Sequence, residues 1–165
     1  LSNIKMSTEN CNTLGLALRK TKILESLTLN CCGINEENFM LVLNRNTSMN
    51  LKRISLDQNK FGDSGITCLG TYLKGNSVFN YLSIRNCGFS LQGFSVLKII
   101  LNVSFTKNAE IHVEENSLIE VPEIVEFIGE CQSLVDKGIK IFIQRRNLNG
   151  KTVEKLQTYK EVVLD

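Results

Sequence analysis

The 165-residue sequence has a single proline, a single histidine and no tryptophan. It has no glycine- or serine-rich stretch that would serve as an internal linker, so we expect one domain over residues 1–165. No apolar run reaches the roughly 18 residues of a membrane-spanning helix, and we therefore expect no membrane insertion. The first ten residues lack the apolar segment of a secretory signal. We therefore expect a cytoplasmic protein, and because the chain begins without Met, we expect a fragment of a larger one.

Charge and motif content argue against several functional classes. The 19 Lys and Arg residues nearly balance 17 Asp and Glu residues, so we expect no nucleic-acid partner, which would require a clear basic stripe. There is no glycine-rich phosphate loop, nucleophile elbow or paired-histidine motif, so we expect neither an enzyme nor a cofactor. Ser83 is a predicted lateral neighbour of His112, but no third group is evident to orient such a pair. A metal site is not expected either, since the sequence has no C-x-x-C pair.

The feature that is present is an internal repeat. In LKRISLDQNKFGDSGI, residues 51–66, Ile54 and Leu56 lie five and three residues before Asn59, and Phe61 lies two after it. The same spacing recurs along the chain at intervals of about 28 residues. The central residues of this spacing, called anchors below, are Glu9, Cys32, Asn59, Cys87, Asn116 and Arg146.

This pattern resembles the leucine-rich repeat, L-x-x-L-x-L-x-x-N/C-x-L. The repeat length and the alternation of Asn with Cys at the anchor resemble the ribonuclease-inhibitor-like subclass. The stretches LTLNCCGI and LSIRNCGF are typical of one kind of unit, and DQNKFGDSGI is typical of the other. The resemblance covers essentially the whole chain. It implies an α/β solenoid of about six units, curved, with parallel strands on the concave face and helices on the convex face.

The repeat spacing has a physical reason. Each unit should begin with a short strand whose alternate residues point inward. An inward Asn satisfies buried backbone groups with its amide, and an inward Cys does so weakly through its thiol. Arg146 cannot be buried this way without a partner, so we expect the last unit to be a distorted cap. Helices should follow the strands. Their expected N-caps are Asn12, Asn35, Asp63, Ser90 and Asn149, with Pro122 in the first turn of the remaining helix.

The six cysteines are Cys11, Cys31, Cys32, Cys68, Cys87 and Cys131. An even count is compatible with disulfides. The repeat favours reduced, structural thiols instead, because three of the six fall at its inward positions and the chain has no secretory signal. The adjacent Cys31 and Cys32 are compatible with a redox role, but the simpler interpretation is one buried thiol beside one partly exposed thiol.

Residues six, four and two positions before each anchor should point outward on the strand face. In the first unit this rule selects Asn3, Lys5 and Ser7. Farther along, Tyr, Arg and exposed Phe resemble the residues enriched among interface hot spots. We expect a partner-binding patch at Arg53, Tyr81, Arg85, Glu110, His112 and Phe142.

The alternative is a solvated sheet face on which Asp57, Arg85 and Glu114 alternate in sign. Exposed ion pairs of that kind contribute only about 0–1 kcal/mol each. Phe142 has a further alternative role, in which it covers the C-terminal edge of the sheet.

The family resemblance implies a protein-binding module. Such repeats occur in ribonuclease inhibitors, NOD-like immune receptors, tropomodulin-like actin regulators and GTPase-activating proteins for Ran. We expect the ligand-sensing or autoregulatory domain of a multidomain protein such as a NOD-like innate immune receptor. Its partner would be another protein or another domain of the same chain. A cytoskeletal, actin-regulating scaffold is the alternative, and a GTPase-activating repeat protein comes third. Uncapped ends of a repeat array would also permit self-association.

Overall fold

The computed structural model of the chain describes residues 1–43, 50–74, 76, 78–116, 121–144 and 148–165. Within them the chain forms one all-parallel sheet of six strands and seven helices, so the predicted α/β class is confirmed. The strands are β1 (Ser26–Thr28), β2 (Arg53–Ser55), β3 (Phe79–Ser83), β4 (Phe105–His112), β5 (Lys140–Ile143) and β6 (Val162–Leu164). The helices are α1 (Thr8–Lys20), α2 (Glu36–Val42), α3 (Gly62–Leu73), α4 (Leu91–Ser104), α5 (Val121–Glu130), α6 (Gln132–Lys137) and α7 (Gly150–Leu156).

The order of strands in the sheet follows their order in the chain, from β1 to β6. A helical connection joins each strand to the next, and parallel crossovers have one preferred hand, so the helices lie on one side of the sheet. Neighbouring helices pack on each other, as α1 does on α2 and α3 on α4. The longest described helix, α4, has 14 residues, and no described helix combines the length and apolarity needed to cross a bilayer.

The core lies between the sheet and the helices and contains two rows of aliphatic side chains that cross the strands. The first row is in register and buried; it consists of Leu27, Ile54, Leu82, Ile111 and Ile141. The second row is also buried and consists of Leu29, Leu56, Ile84, Val113 and Ile143. These residues lie five and three positions before the predicted anchors. The repeat spacing therefore predicted the register of the sheet from β1 to β5.

The anchors bind the backbone as their chemistry predicts. The amide of Asn59 donates to the carbonyls of Leu29 and Leu56, both at 2.7 Å, and its oxygen accepts from the N–H groups of Cys32 and Ile34. Asn116, two units later, donates in the same way to the carbonyls of Ile84 and Val113, and its oxygen accepts from the N–H groups of Cys87 and Gly88. At the alternate anchors, the Cys32 and Cys87 thiols donate to backbone carbonyls at 3.3 Å. Buried polar backbone is thus paired at each of these four anchors.

The first unit differs from the prediction, because Glu9 is not an anchor. In the middle units the residue before each anchor has positive φ, and its N–H donates to the next unit. These bonds run from Cys31 to Asp57, from Gln58 to Arg85 and from Asn86 to Glu114. Asn3 has the same conformation, with a φ of 60°, and its N–H donates in the same way to Asn30. Ile4 therefore occupies the anchor position of the first unit.

This shift moves the predicted face residues of the first unit. Asn3 takes the turn position before the anchor, and Lys5 follows the anchor instead of preceding it. Ser7 caps α1 by accepting a bond from the N–H of Asn10, and Glu9 lies in the first turn of α1. The predictions that Asn3, Lys5 and Ser7 form the first unit's strand face were therefore wrong.

Three of the predicted N-caps are confirmed. The side chains of Asn35, Ser90 and Asn149 accept bonds from N–H groups in the first turns of α2, α4 and α7. Pro122 lies in the first turn of α5, as predicted. Asn12 was predicted wrongly, because it lies inside α1, whose cap is Ser7.

Asp63 does not cap its own helix. The N-cap position of α3 is Phe61, which makes no side-chain bond there. Asp63 lies in the first turn of α3, and its carboxylate reaches the start of α4. It accepts bonds from the N–H groups of Ser90 and Gly93, at 2.7 and 2.9 Å, and from the Ser90 hydroxyl. One carboxylate thus joins the beginnings of two neighbouring helices.

The C-terminal end contains a strand that the repeat did not predict. Strand β6 pairs with β5 in parallel through Ile141 with Val162 and Phe142 with Val163. The repeat spacing would place an anchor for this strand beyond Asp165, where the sequence ends. Because β5 is not the last strand, Phe142 does not cover the edge of the sheet. The predicted anchor Arg146 lies outside the described residues.

Candidate interaction surface on the open face of the sheet

The face of the sheet that points away from the helices is called the open face. The pairing register aligns its side chains in two columns across the strands. The first column consists of Ser26, Arg53, Tyr81, Glu110 and Lys140. The second consists of Thr28, Ser55, Ser83, His112 and Phe142. At the strand ends, the open face continues into Asn30, Asp57, Arg85 and Glu114. All six predicted site residues therefore belong to one surface.

Four of these side chains form a continuous stacked row. The guanidinium carbon of Arg53 lies 4.0 Å from the centre of the Tyr81 ring. The Tyr81 ring is tilted against His112 at 5.4 Å, and the His112 ring is stacked on Phe142 at 4.1 Å with an interplanar angle of 15°. A cation over an aromatic face and offset aromatic pairs are both attractive arrangements. The row spans β2 to β5 and is held by its own contacts.

His112 is less accessible than the sequence suggested. Its exposed fraction is only 8%, because Tyr81, Phe142 and Arg85 surround it. The imidazole Nδ1 lies 2.6 Å from Nη2 of Arg85 and 3.2 Å from Oε1 of Glu114. A guanidinium only donates, so Nδ1 accepts from Arg85 when the imidazole carries its proton on Nε2. His112 thus holds the neighbouring side chains of the surface in place and has little exposed area of its own for a partner to contact.

Arg85 also forms an ion pair with a buried carboxylate. Its Nε lies 3.1 Å from Oε2 of Glu114, whose side chain is 8% exposed, whereas the Arg85 side chain is 40% exposed. The guanidinium therefore satisfies the Glu114 carboxylate on one side and presents its other side to solvent. Removing Arg85 would leave Glu114 buried without its cation, which costs far more than losing an exposed pair.

The row of alternating charges that the alternative interpretation requires is only partly present. Asp57 accepts its bonds from the Ser83 hydroxyl, at 2.6 Å, and from the backbone N–H of Arg85, at 2.9 Å. Arg85 directs its guanidinium to Glu114 on the opposite side. The Ser83 hydroxyl is thus directed to Asp57, away from His112, so no Ser–His pair is formed at this point.

The three charged side chains of the first column, Arg53, Glu110 and Lys140, have no ion-pair partner within the described part of the chain. Glu110 and Lys140 are adjacent in register and exposed, yet they are not within ion-pair distance. Arg53 is exposed at the other end of the row. Among strands β1 to β3, a shallow depression of about 210 Å³ lies beside Arg53, lined by Ser26, Thr28 and Ser55 and by Ile54 and Tyr81.

The sequence did not reveal the supporting role of Asp57 and Glu114. The sequence placed both only in the alternative interpretation, as members of a row of alternating charges, whereas the structure uses them to hold Ser83, the Arg85 backbone and the Arg85 side chain. Their position two residues before an anchor is the only signal that could have indicated this. At that place Asp57 meets the backbone N–H of Arg85 in the neighbouring unit, and Glu114 meets the Arg85 guanidinium.

The thiols lie away from this surface or beneath it. All six are free, with Cys31 partly exposed and Cys32 buried, as the simpler interpretation predicted. Burial raises the pKa of Cys87 to about 12 and that of Cys131 to about 11. Burial also raises the pKa of Cys68, and it raises the pKa of Cys11 with a smaller contribution from Cys32. In the described residues no cluster of three or more His, Cys, Asp or Glu side chains is placed to hold a metal ion.

A second concavity lies on the helical side, between α4 and α5. It has a volume of about 560 Å³, and its lining includes Phe94, Phe127 and the exposed Ile99. An ion pair between Lys98 and Glu130 crosses it. This groove provides a surface against which the open face can be compared experimentally.

Comparison with known proteins gives no family. No protein-family model matches the sequence, and no curated protein sequence matches it.

Proposed function

We propose that this chain is a leucine-rich-repeat domain of the ribonuclease-inhibitor-like subclass, a solenoid that binds a protein partner through its open face. The observation that carries the proposal is the stacked row of Arg53, Tyr81, His112 and Phe142 across four neighbouring strands. Side chains already ordered by mutual stacking lose little rotamer freedom on binding, which leaves more of the contact energy as affinity. Tyr and Arg are also the side chains most enriched at interface hot spots.

The charges around the row would select the partner. Arg53, Glu110 and Lys140 lie along one column with alternating sign. Exposed charges of this kind steer association and reject wrongly charged partners more than they add affinity. In this proposal the partner is a protein, either a separate chain or another domain of the same polypeptide.

The biological setting in this proposal is a ligand-sensing or autoregulatory domain of a cytoplasmic multidomain protein of the NOD-like receptor type. The alternation of Asn and Cys anchors supports this subclass, and six free thiols are what a reducing compartment maintains. The proposal includes no catalytic step. Ser83, the hydroxyl nearest His112 in register, donates to Asp57 and forms no bond with His112, so no Ser–His pair is present to support a nucleophilic role.

The experiment that tests the proposal is quantitative capture of proteins by the folded chain and by a Tyr81→Ala/Phe142→Ala double variant. We expect the double variant to lose its specific partners by about tenfold or more, the effect of removing two hot-spot side chains. Arg85 is left in place, because its loss would leave the buried Glu114 carboxylate unpaired and disturb the fold. The matched control is Ile99→Ser, which changes an exposed residue of the helical groove.

The identity of the captured protein decides the class. A nucleotide-binding module of the parent polypeptide would support the receptor assignment, actin or tropomyosin would support the cytoskeletal alternative, and a small GTPase would support the third. Capture that survives the double variant and is lost in Ile99→Ser would contradict binding through the open face. Circular dichroism of all three proteins checks that each is folded.

A further inference from the structure

The depression between β1 and β3 is a polar concavity with one cation at its edge. Its volume is about 210 Å³, and its lining combines the hydroxyls of Ser26, Thr28 and Ser55 with Arg53. A water molecule takes about 30 Å³ in the liquid, so the space suits one short side chain and excludes a nucleotide. This depression is separate from the aromatic contacts at the other end of the row.

The Arg53 guanidinium is held in place with its donors free. Stacking over the Tyr81 ring uses the flat face of the guanidinium and leaves its N–H groups on the edge. No carboxylate of the described residues forms an ion pair with Arg53. The Glu25 carboxylate is paired with Lys52 at 2.5 Å, and the Asp57 carboxylate accepts from Ser83 and from the Arg85 backbone.

The hydroxyls differ in what they can donate. The Ser55 hydroxyl already donates to Oδ1 of Asn30 at 2.9 Å, so it has no proton for a ligand. Ser26 and Thr28 are exposed, and their hydroxyls have no bond to any other described residue. Together with the guanidinium edge, they supply a convergent set of donors around the depression, and a planar carboxylate matches a guanidinium edge with two parallel bonds.

We infer that this depression is a carboxylate subsite that takes an Asp or Glu side chain from an extended segment of a protein partner. The inference rests on the proposed function and names the chemistry of the bound segment. A phosphate is a poorer match, because a single cation balances a monoanion but leaves a dianion under-neutralised. Glu110, on the far side of Tyr81, repels the same ligand weakly and limits the affinity of the subsite.

The test is a titration of the isotope-labelled chain, followed by nuclear magnetic resonance, with the blocked tripeptide acetyl-Gly-Asp-Gly-amide. We expect saturable shifts at Ser26, Thr28 and Arg53, including the Arg53 side-chain N–H signal. Arg53→Gln should weaken binding about fivefold, and Glu110→Gln should tighten it by up to about twofold, as expected for exposed charges. Lys140→Gln is the matched control, since it removes an exposed cation of the same column; we expect it to change the affinity less than twofold.

Two comparison peptides complete the test. The Asn analogue, which has the same shape without charge, should leave these signals unshifted at the same concentrations. Equal shifts with the Asn analogue, unchanged binding in Arg53→Gln, or saturation by the phosphoserine analogue alone would overturn the carboxylate assignment.

The outcome separates the subsite from the proposed function. Loss of partner capture in Tyr81→Ala/Phe142→Ala, together with no tripeptide binding, would overturn the subsite alone. Saturable, Arg53-dependent tripeptide binding, together with partner capture that survives the double variant, would support the subsite and overturn binding through the aromatic row.

Discussion

At the scale of single residues, Asn59 should contribute more to the stability of the fold than its size suggests. Its amide joins four buried backbone groups in two neighbouring units. Asn59→Ala would leave these groups without partners, and each unsatisfied buried group costs about 1–3 kcal/mol. We expect the variant to lose about 3 kcal/mol or more of unfolding free energy, measured by urea denaturation monitored by circular dichroism.

The control for this prediction is Asn59→Cys, because the chain itself uses Cys at the anchors Cys32 and Cys87. A thiol donates weakly to a carbonyl and restores part of the pairing, so the loss should be about half that of Asn59→Ala. Equal losses in the two variants would contradict this prediction, because they would show that a thiol at this position does not replace any of the amide's bonds.

Residue chemistry also sets how far the open face was predictable. The columns followed from spacing alone, because a strand period of two fixes which side chains share a face. The spacing did not predict which groups these side chains bind. In the alternative interpretation Asp57, Arg85 and Glu114 would form a row of alternating charges, yet Asp57 binds the Arg85 backbone and only Glu114 binds the guanidinium. Competition between a backbone N–H and a nearby cation depends on angles and distances that the sequence does not contain.

At the scale of elements, Asp63 links two helices that the repeat would treat as independent. It lies in the first turn of α3 and accepts two backbone N–H groups and a hydroxyl at the start of α4. We expect Asp63→Ala to lower the unfolding free energy by about 2 kcal/mol, because a charged acceptor of N-terminal N–H groups is removed. Faster amide hydrogen exchange should be concentrated in the first turn of α4, including Gly93.

Glu37→Ala is the matched control for this prediction. Glu37 is also an acid in a first turn, in α2, but it is exposed. Its removal should change the unfolding free energy by less than about 0.5 kcal/mol. A similar loss in both variants would indicate a general charge effect with no specific bond between α3 and α4.

Elements near the two ends were the hardest to predict. Around Glu9, the residues Ile4, Met6 and Cys11 match the repeat spacing by coincidence, while the true equivalent of the anchor is Ile4. Only three residues precede Ile4, so most of the positions that define the repeat before an anchor are absent there. The coincidental match around Glu9 therefore fitted the spacing better. Strand β6 was missed for the same reason at the other end, since its anchor position falls beyond the sequence.

At the scale of the whole molecule, the aliphatic rows make the units depend on each other. Each of Ile54, Leu82 and Ile111 packs between equivalents in the units before and after it. No single unit could bury its own apolar face, so stability accumulates through contacts between neighbours. Deprotonation of a buried side chain in one unit should therefore reduce the stability of the entire chain.

Two buried thiols and one buried phenol predict that this stability falls at alkaline pH. Burial raises the pKa of Cys87 from 9.0 and of Tyr72 from 10.0, both to about 12, and that of Cys131 from 9.0 to about 11. Below about pH 8 these groups are protonated in both states, and their contribution is fully present. Between about pH 9 and 12 the unfolded chain loses these protons first, so the unfolding free energy should fall, at up to about 1.4 kcal/mol per pH unit for each group.

Urea midpoints measured under reducing conditions from pH 8 to 10.5 check this prediction. Cys87→Ser keeps a hydroxyl that can donate to Leu56 but does not titrate in this range, so the decline with pH should become shallower. Cys31→Ser, which makes the same substitution at a partly exposed thiol, is the control. If Cys87→Ser and Cys31→Ser give the same pH slope, proton release from the buried thiol is not what destabilises the chain, and the alkaline loss would have to come from other titrating groups.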